Sequence, residues 1–210
     1  MKTIAECIYG RRTIRNFSEN RIEDEVLTEI LKAAIYAPSA CNFQAWKIIV
    51  ISSNETKNKL LESYKEKATG WIPRMIIENS HLLVMTYRND IGVSGRRYYD
   101  YIQSGAAAIE NMLLMAYEYD IGGCWICHLP DINTLRKVLN IPDNYDVIAF
   151  VALGYPKENA LSDENAEIYH YGSTEAYRLH ERKYTLNQFV SSEKFVAVEG
   201  DSTEKDYPKV

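Results

Sequence analysis

Ala37-Pro38-Ser39-Ala40-Cys41-Asn42-Phe43-Gln44-Ala45-Trp46 joins a stretch of helical periodicity to a run of strand-forming residues. Upstream, Val26, Leu27, Ile30, Leu31 and Ala34 fall on one helical face, with Glu23, Asp24 and Glu25 at the end where the helix dipole favours negative charge. Downstream, Lys47-Ile48-Ile49-Val50-Ile51 is β-branched and predicts a strand buried on both faces of a sheet. Pro38 ends the helix, because the residue before a proline is pushed out of helical geometry. Ser39, Asn42 and Gln44 then place hydroxyl and amide groups within six residues, a density suited to holding a ligand or to bonding their own backbone. A polar loop that merely carries amides is the plain alternative.

Outward from this junction, helices alternate with strands. Ile4, Cys7 and Ile8 mark a short helix that Gly10 closes, followed by Arg11-Arg12-Thr13-Ile14-Arg15. Three arginines so close form either a solvated face or, beside a helix end, an anion site of forked donors. Asn54 is placed to cap a charged helix with Leu60, Leu61 and Tyr64. Leu82 to Met85 reads as a second strand, between two loops: 66–80, which contains Trp71, and Ile91 to Arg97. Tyr99 to Tyr119 is the longest helical segment and is apolar round most of its circumference, which predicts burial inside a domain or between subunits. Ile121-Gly122-Gly123 is read as its end. Asp131 caps a short helix with Leu135, Val138 and Leu139, and Val147 to Leu153 is the strongest strand. The pattern implies one α+β or α/β domain over 1–190 and a C-terminal tail over 191–210.

Composition narrows the function. The 210 residues carry 24 basic and 29 acidic side chains, a net charge of -5 that disfavours nucleic acid and anionic membranes as partners. No apolar run reaches the length of a membrane span, and no hydrophobic region leads to a small-residue cleavage site, so the expected location is the cytoplasm. Four cysteines are then expected as reduced thiols. Cys124-Trp125-Ile126-Cys127-His128 matches both a thiol–disulfide pair and a haem attachment pattern, but its position and the missing export signal favour small buried thiols behind a strand. The four histidines show no metal spacing, and neither a phosphate-binding glycine loop nor a nucleophile elbow is present. No metal site is expected.

Together these segments resemble the flavin-dependent nitroreductase family. Arg11 to Phe17 resembles its opening motif, APSACNFQAW the motif usually written A-P-S-x-x-N-x-Q-P-W, and residues 105–126 the long interface helix with the glycine-rich segment after it. Ala149 to Pro156 resembles its strand ending in Gly-Tyr, and Arg182 to Leu186 its basic C-terminal pattern. Ala45 stands where the pattern has proline, and Glu181 where it has a basic residue.

The resemblance implies a three-layer α/β/α fold of the α+β class: a mostly antiparallel sheet, a long interface helix and a domain-sharing homodimer. It implies FMN as cofactor, NADH or NADPH as co-substrate, and hydride passage to a small electron-poor acceptor such as a nitroaromatic or a quinone. Arg11 and Thr13, with Arg12 beside them, would hold the flavin phosphate, completed by Lys183 and Arg182. Arg15 would face the pyrimidine edge of the ring and stabilise its reduced form. Pro38, Ser39, Ala40 and Asn42, with Gln44 in the same motif, would reach the cofactor from the other subunit, and Cys127 and His128 would pass along the flavin. The flavin carries the chemistry, so no separate catalytic residue is named. A non-catalytic flavin-binding or flavin-delivery protein is the alternative, and a thiol redox protein using Cys124 and Cys127 a further one.

Overall fold

The computed structural model of the chain describes residues 1–62, 64, 80–91 and 99–157. Among these, four strands form one sheet: β1 (Trp46–Ile51), β2 (His81–Arg88), β3 (Gly122–Ile126) and β4 (Tyr145–Gly154). Their order is β1-β2-β4-β3, and every pairing is antiparallel. The helices are α1 (Ile4–Gly10), α2 (Asp24–Ile35), α3 (Asn54–Glu62), α4 (Asp100–Glu118) and α5 (Ile132–Leu139).

Alternation of side chains along the strands divides the core in two. Leu82 and Val84 of β2, Cys124 and Ile126 of β3, and Phe150 and Ala152 of β4 share one face with Leu60 of α3 and Leu135 of α5. Leu83, Met85, Ala149, Val151 and Leu153 share the other with Leu27 and Ile30 of α2 and Ile109, Met112 and Leu113 of α4. Helices therefore cover both faces of an antiparallel sheet, the three-layer α+β arrangement the resemblance implies. β2 and β4 lie at its centre and are buried through most of their length.

Several local expectations give way. β1 is an edge strand among the described strands, not one buried on both faces: Lys47 is exposed and Val50 is 40% exposed. β-branched residues favour extended backbone wherever the strand lies, so composition does not separate edge from centre. Ser53, not Asn54, caps α3; its Oγ accepts from the Thr56 N–H at 3.2 Å, and Asn54 is the first helical residue. Gly122 and Gly123 belong to β3 and do not end α4. That helix closes on Asp120, whose φ of 59° lets the Ile121 N–H reach the Ala116 carbonyl at 2.8 Å and its own N–H reach Tyr117 O at 3.1 Å. An aspartate thus does what a glycine was expected to do.

The long helix buries one face, Ser104, Gly105, Ala108, Ile109, Met112, Leu113 and Ala116, while Ile102 is 40% exposed and Ala106, Ala107, Glu110 and Leu114 are half-buried. It is a one-sided helix whose outer face is mixed, with Ile102, Ala106, Ala107 and Leu114 beside Gln103, Glu110 and Asn111. The expected loops around Trp71 and over 92–97, the segment 181–186 and the boundary between domain and tail lie outside the described residues.

Candidate functional site

The arginine segment begins where α1 stops. Thr3 and Glu6 cap the start of α1 reciprocally, and at its far end the Arg11 N–H still donates to Cys7 O at 3.0 Å. Beyond it the chain runs along the side of β3 that faces away from β4. Thr13 bridges Gly123, the Ile14 N–H donates to Gly123 O at 3.0 Å, and Phe17 bridges Pro156. Ile14 and Phe17 sink into the core as anchors, leaving Arg11, Arg12, Thr13 and Arg15 half-buried along the strand.

This close approach is why two glycines stand in β3. A Cβ on Gly122 would lie 2.8 Å from the Cβ of Ile14, and one on Gly123 would lie 2.5 Å from Cδ2 of Leu113 on α4. Gly122 admits the arginine segment and Gly123 admits the long helix.

The arginines are held differently. Nη1 of Arg12 donates to the carbonyls of Tyr9 at 2.7 Å and Arg11 at 2.9 Å, so part of this guanidinium closes the end of α1. Arg11 lies beside Glu110 of α4, with Nε 3.4 Å from Oε1. Arg15 acts on the buried thiol of Cys124: burial pushes that thiol up to about 11, and the arginine's charge partly opposes the rise. Cys127 and His128 follow the end of β3 and are exposed, with the His128 carbonyl accepting from the Tyr64 hydroxyl at 2.9 Å. β3 thus brings together two of the expected groups, 11–15 at its start and edge and 127–128 past its end.

The two thiols of the Cys-x-x-Cys pair have different fates. Cys124 is buried, as expected, whereas Cys127 is exposed, and all four cysteines are free. Burial raises both thiols above the ordinary range, which opposes the thiolate that exchange chemistry needs.

Pro38, Ser39, Ala40, Asn42 and Gln44 lie elsewhere, between α2 and β1. Their loop is anchored on α4, where the Ala40 N–H donates to Oγ of Ser104 at 3.1 Å and Ser104 donates on to Asp100 O at 2.6 Å. Within it, Ser39 Oγ accepts from the Gln44 N–H at 3.1 Å, and Gln44 Nε2 donates to Asn42 Oδ1 at 2.8 Å. Cys41, Asn42 and Gln44 have φ of 48°, 56° and 49°, a left-handed geometry that side chains disfavour by about 1–2 kcal/mol per residue. A proline at 45 would push Gln44 towards extended backbone, so the alanine there suits its observed φ. Arg182 and Lys183 lie outside the described residues.

Sequence reasoning passed over Ser104, Glu110 and Trp125. Ser104 and Glu110 are polar interruptions of the long apolar helix, a visible signal that named no partner. Nε1 of Trp125, two residues along β3 from Gly123, is buried and has no hydrogen-bond partner among the described residues. No group of His, Cys, Asp and Glu among the described residues is placed to hold a metal ion, and no described helix is long and apolar enough to cross a membrane.

The sheet, the helix pair and the arginine-lined edge define an α+β protein with a phosphate-suited donor set. The Nitroreductase family profile matches residues 8–155. A protein of Archaeoglobus fulgidus, named as an NADH dehydrogenase/NAD(P)H nitroreductase, is 37% identical over 161 residues, 75% of this chain and 88% of that one. The iodotyrosine deiodinase of Haliscomenobacter hydrossis is 28% identical over 173 residues, covering 72% of this chain and 78% of that protein. Among solved structures, a nitroreductase family protein of Clostridium novyi NT superposes with a TM-score of 0.68 at 28% identity, over 74% of this chain and 88% of that one. A nitroreductase with bound FMN from Bacteroides fragilis does so with a TM-score of 0.63 at 26% identity, over 74% and 89%. The chain belongs to the nitroreductase family and is, with it, an oxidoreductase.

Proposed function

We propose that this oxidoreductase binds FMN and passes hydride from NADH or NADPH to a small electron-poor acceptor, a nitroaromatic, a quinone or a similar molecule. The observation that carries the reading is the mooring of Arg11, Arg12, Thr13 and Arg15 along β3, the strand that Cys127 and His128 directly follow. Three guanidinium groups and a hydroxyl on five residues are a donor set for a phosphomonoester and an electron-rich ring edge, and they fit FMN. Bound there, the flavin would supply two-electron chemistry between nicotinamide and acceptor.

The protein's share is binding and electrostatics. Arg11 and Thr13 would take the phosphate, with Arg12 contributing what its bonds to Tyr9 and Arg11 leave over, and Lys183 and Arg182 would complete the charge. Arg15 would lie against the pyrimidine edge, where a fixed cation favours the reduced ring. Cys127 and His128 would offer backbone along the ring plane.

In the same reading the protein is a cytoplasmic homodimer of single domains over 1–190, with 191–210 as a tail. The loop of Pro38, Ser39, Ala40, Asn42 and Gln44 is anchored on the N-terminal turn of α4, apart from the β3 edge, which supports its use on the partner's cofactor. The outward Ile102, Ala106, Ala107 and Leu114 of α4 and the exposed Ile4, Ile8 and Tyr9 of α1 supply apolar surface for that contact.

An absorption spectrum of the purified protein tests the cofactor: flavin bands are expected, and a colourless protein that gains none on reconstitution overturns the reading. Steady-state NAD(P)H oxidation with a quinone or nitroarene tests turnover, and its absence in flavin-loaded protein would leave a flavin carrier instead. Sedimentation tests the dimer.

A further inference from the structure

We infer that Glu110 sets the affinity of the site for a phosphomonoester by competing for Arg11, a step that rests on the flavin reading above. The chain's other well-held arginines show what a committed guanidinium looks like. Arg88 grips both oxygens of Asp90 at 2.9 and 2.8 Å, and Arg136 donates to the carbonyls of Pro142 and Tyr145 at 2.6 and 2.7 Å. Arg11 differs. Its Nε stands 3.4 Å from Oε1 of Glu110, an ion pair without a hydrogen bond, and no other side chain among the described residues pairs with it. The two side chains are 28% and 44% exposed, so a ligand can reach both.

Glu110 itself is out of place. With Asn111, which donates to Ala33 O at 3.1 Å, it breaks the run from Gly105 to Met115, whose outward neighbours Ala106, Ala107 and Leu114 are apolar and half-buried. Arg11 is the cation that balances this carboxylate. A phosphate group offers more oxygens and more charge than a carboxylate and matches the guanidinium fork in two parallel bonds. Binding would therefore transfer Arg11 from a loose contact to a tight one. The transfer leaves Glu110 unbalanced on an apolar helix, and that loss is subtracted from the affinity for phosphate. An isosteric amide at 110 removes the competition while keeping the shape. Glu110 is in this sense a positioning residue, which acts on the ligand through Arg11.

The test is a fluorescence titration of FMN and of riboflavin, which lacks the phosphate, into full-length protein freed of co-purified flavin. Glu110→Gln is expected to tighten FMN binding by about 3- to 5-fold, the scale of one exposed ion pair, with riboflavin binding unmoved. In an Arg11→Gln background the same change should leave FMN binding unaltered, because the contested cation is gone. Unchanged or weaker FMN binding by Glu110→Gln overturns the inference. Equal tightening with Arg11→Gln overturns it too, since that is direct repulsion between Glu110 and the ligand. Wild-type protein that binds neither flavin overturns the parent reading and this inference with it, whereas FMN binding with no Glu110 effect removes only the inference.

Discussion

The N–H of Ile14 donates to the carbonyl of Gly123 at 3.0 Å, and a Cβ on the neighbouring Gly122 would lie 2.8 Å from Ile14. That contact moors the arginine segment to the edge of the sheet. Gly122→Ala is expected to force Ile14 outward and to cost about 1–3 kcal/mol, the usual range for overpacking a tight site. Because Arg11 to Arg15 move with Ile14, FMN affinity should fall with stability. Urea unfolding and flavin titration on the same variant check the coupling. A destabilised variant with wild-type FMN affinity would separate the mooring from the site.

Ser104 links the long helix to the polar loop. Its Oγ accepts from Ala40 and donates to Asp100 O, and it is 3% exposed. Ser104→Ala strips the Ala40 N–H of its acceptor and should cost about 1 kcal/mol. The loop of left-handed Cys41, Asn42 and Gln44 depends on such contacts, so its amide protons should exchange faster in the variant. Hydrogen exchange over 39–44 is the measurement.

Lys57 is 3% exposed on α3, and burial lowers its amine to about 8 from the ordinary 10.5. Between those values the folded state binds fewer protons than the unfolded one, so stability rises with pH across that window. Below about 8 both states are charged and the burial penalty is complete. Lys57→Met gives up the Nζ contact with Ser80 O at 3.4 Å, and its stability relative to wild type is expected to be most favourable at pH 7, with that advantage shrinking as pH climbs towards 10.5. Melting curves at pH 7, 9 and 10 would show it, and a constant difference across them would contradict the assignment.

His81, 1% exposed with Nδ1 2.9 Å from Ser80 Oγ, titrates below the ordinary histidine range because burial disfavours its charged form. The unfolded chain takes up this proton first as pH falls, so stability should decline as the medium is acidified below about 6.5. In His81→Gln that part of the decline should disappear. Denaturant midpoints between pH 7 and 5 are the check.

Cys124 and Cys127 provide the contrast with a redox pair. With one thiol buried, the other exposed and both pushed up by burial, Cys124→Ser with Cys127→Ser should leave flavin binding intact and lower stability modestly through Cys124. Thiol counts under native conditions should find Cys41 and Cys127 first, the two exposed cysteines.

Much of the fold could be read from local pattern. The α2 stripe, the Asp131 cap and the apolar run of β4 each have a period or a cap that depends only on neighbours in sequence, and each stands where it was expected. The failures share a cause. β1 resembled a central strand because β-branched residues serve edge and centre alike, and Gly122-Gly123 resembled a helix stop because a glycine needed for close packing looks the same as one needed for a turn. The site was legible as a set of donors, not as an arrangement. Glu110 was visible only as a break in a pattern, because its meaning depends on Arg11, almost a hundred residues earlier.

By itself, the sequence determined the elements, their apolar faces, a donor set rich in guanidinium groups and membership of a flavoprotein-like motif order, since periodicity, capping and residue chemistry are local properties. Only the tertiary structure decided that β3 ends the order of the described strands, that Gly122 opens it to the arginine segment and that Gly123 opens it to the long helix. It also decided that the APSACNFQAW loop is held by Ser104 and not by the strand the arginines share. Those are relations between distant residues, fixed by packing, and no local pattern encodes them.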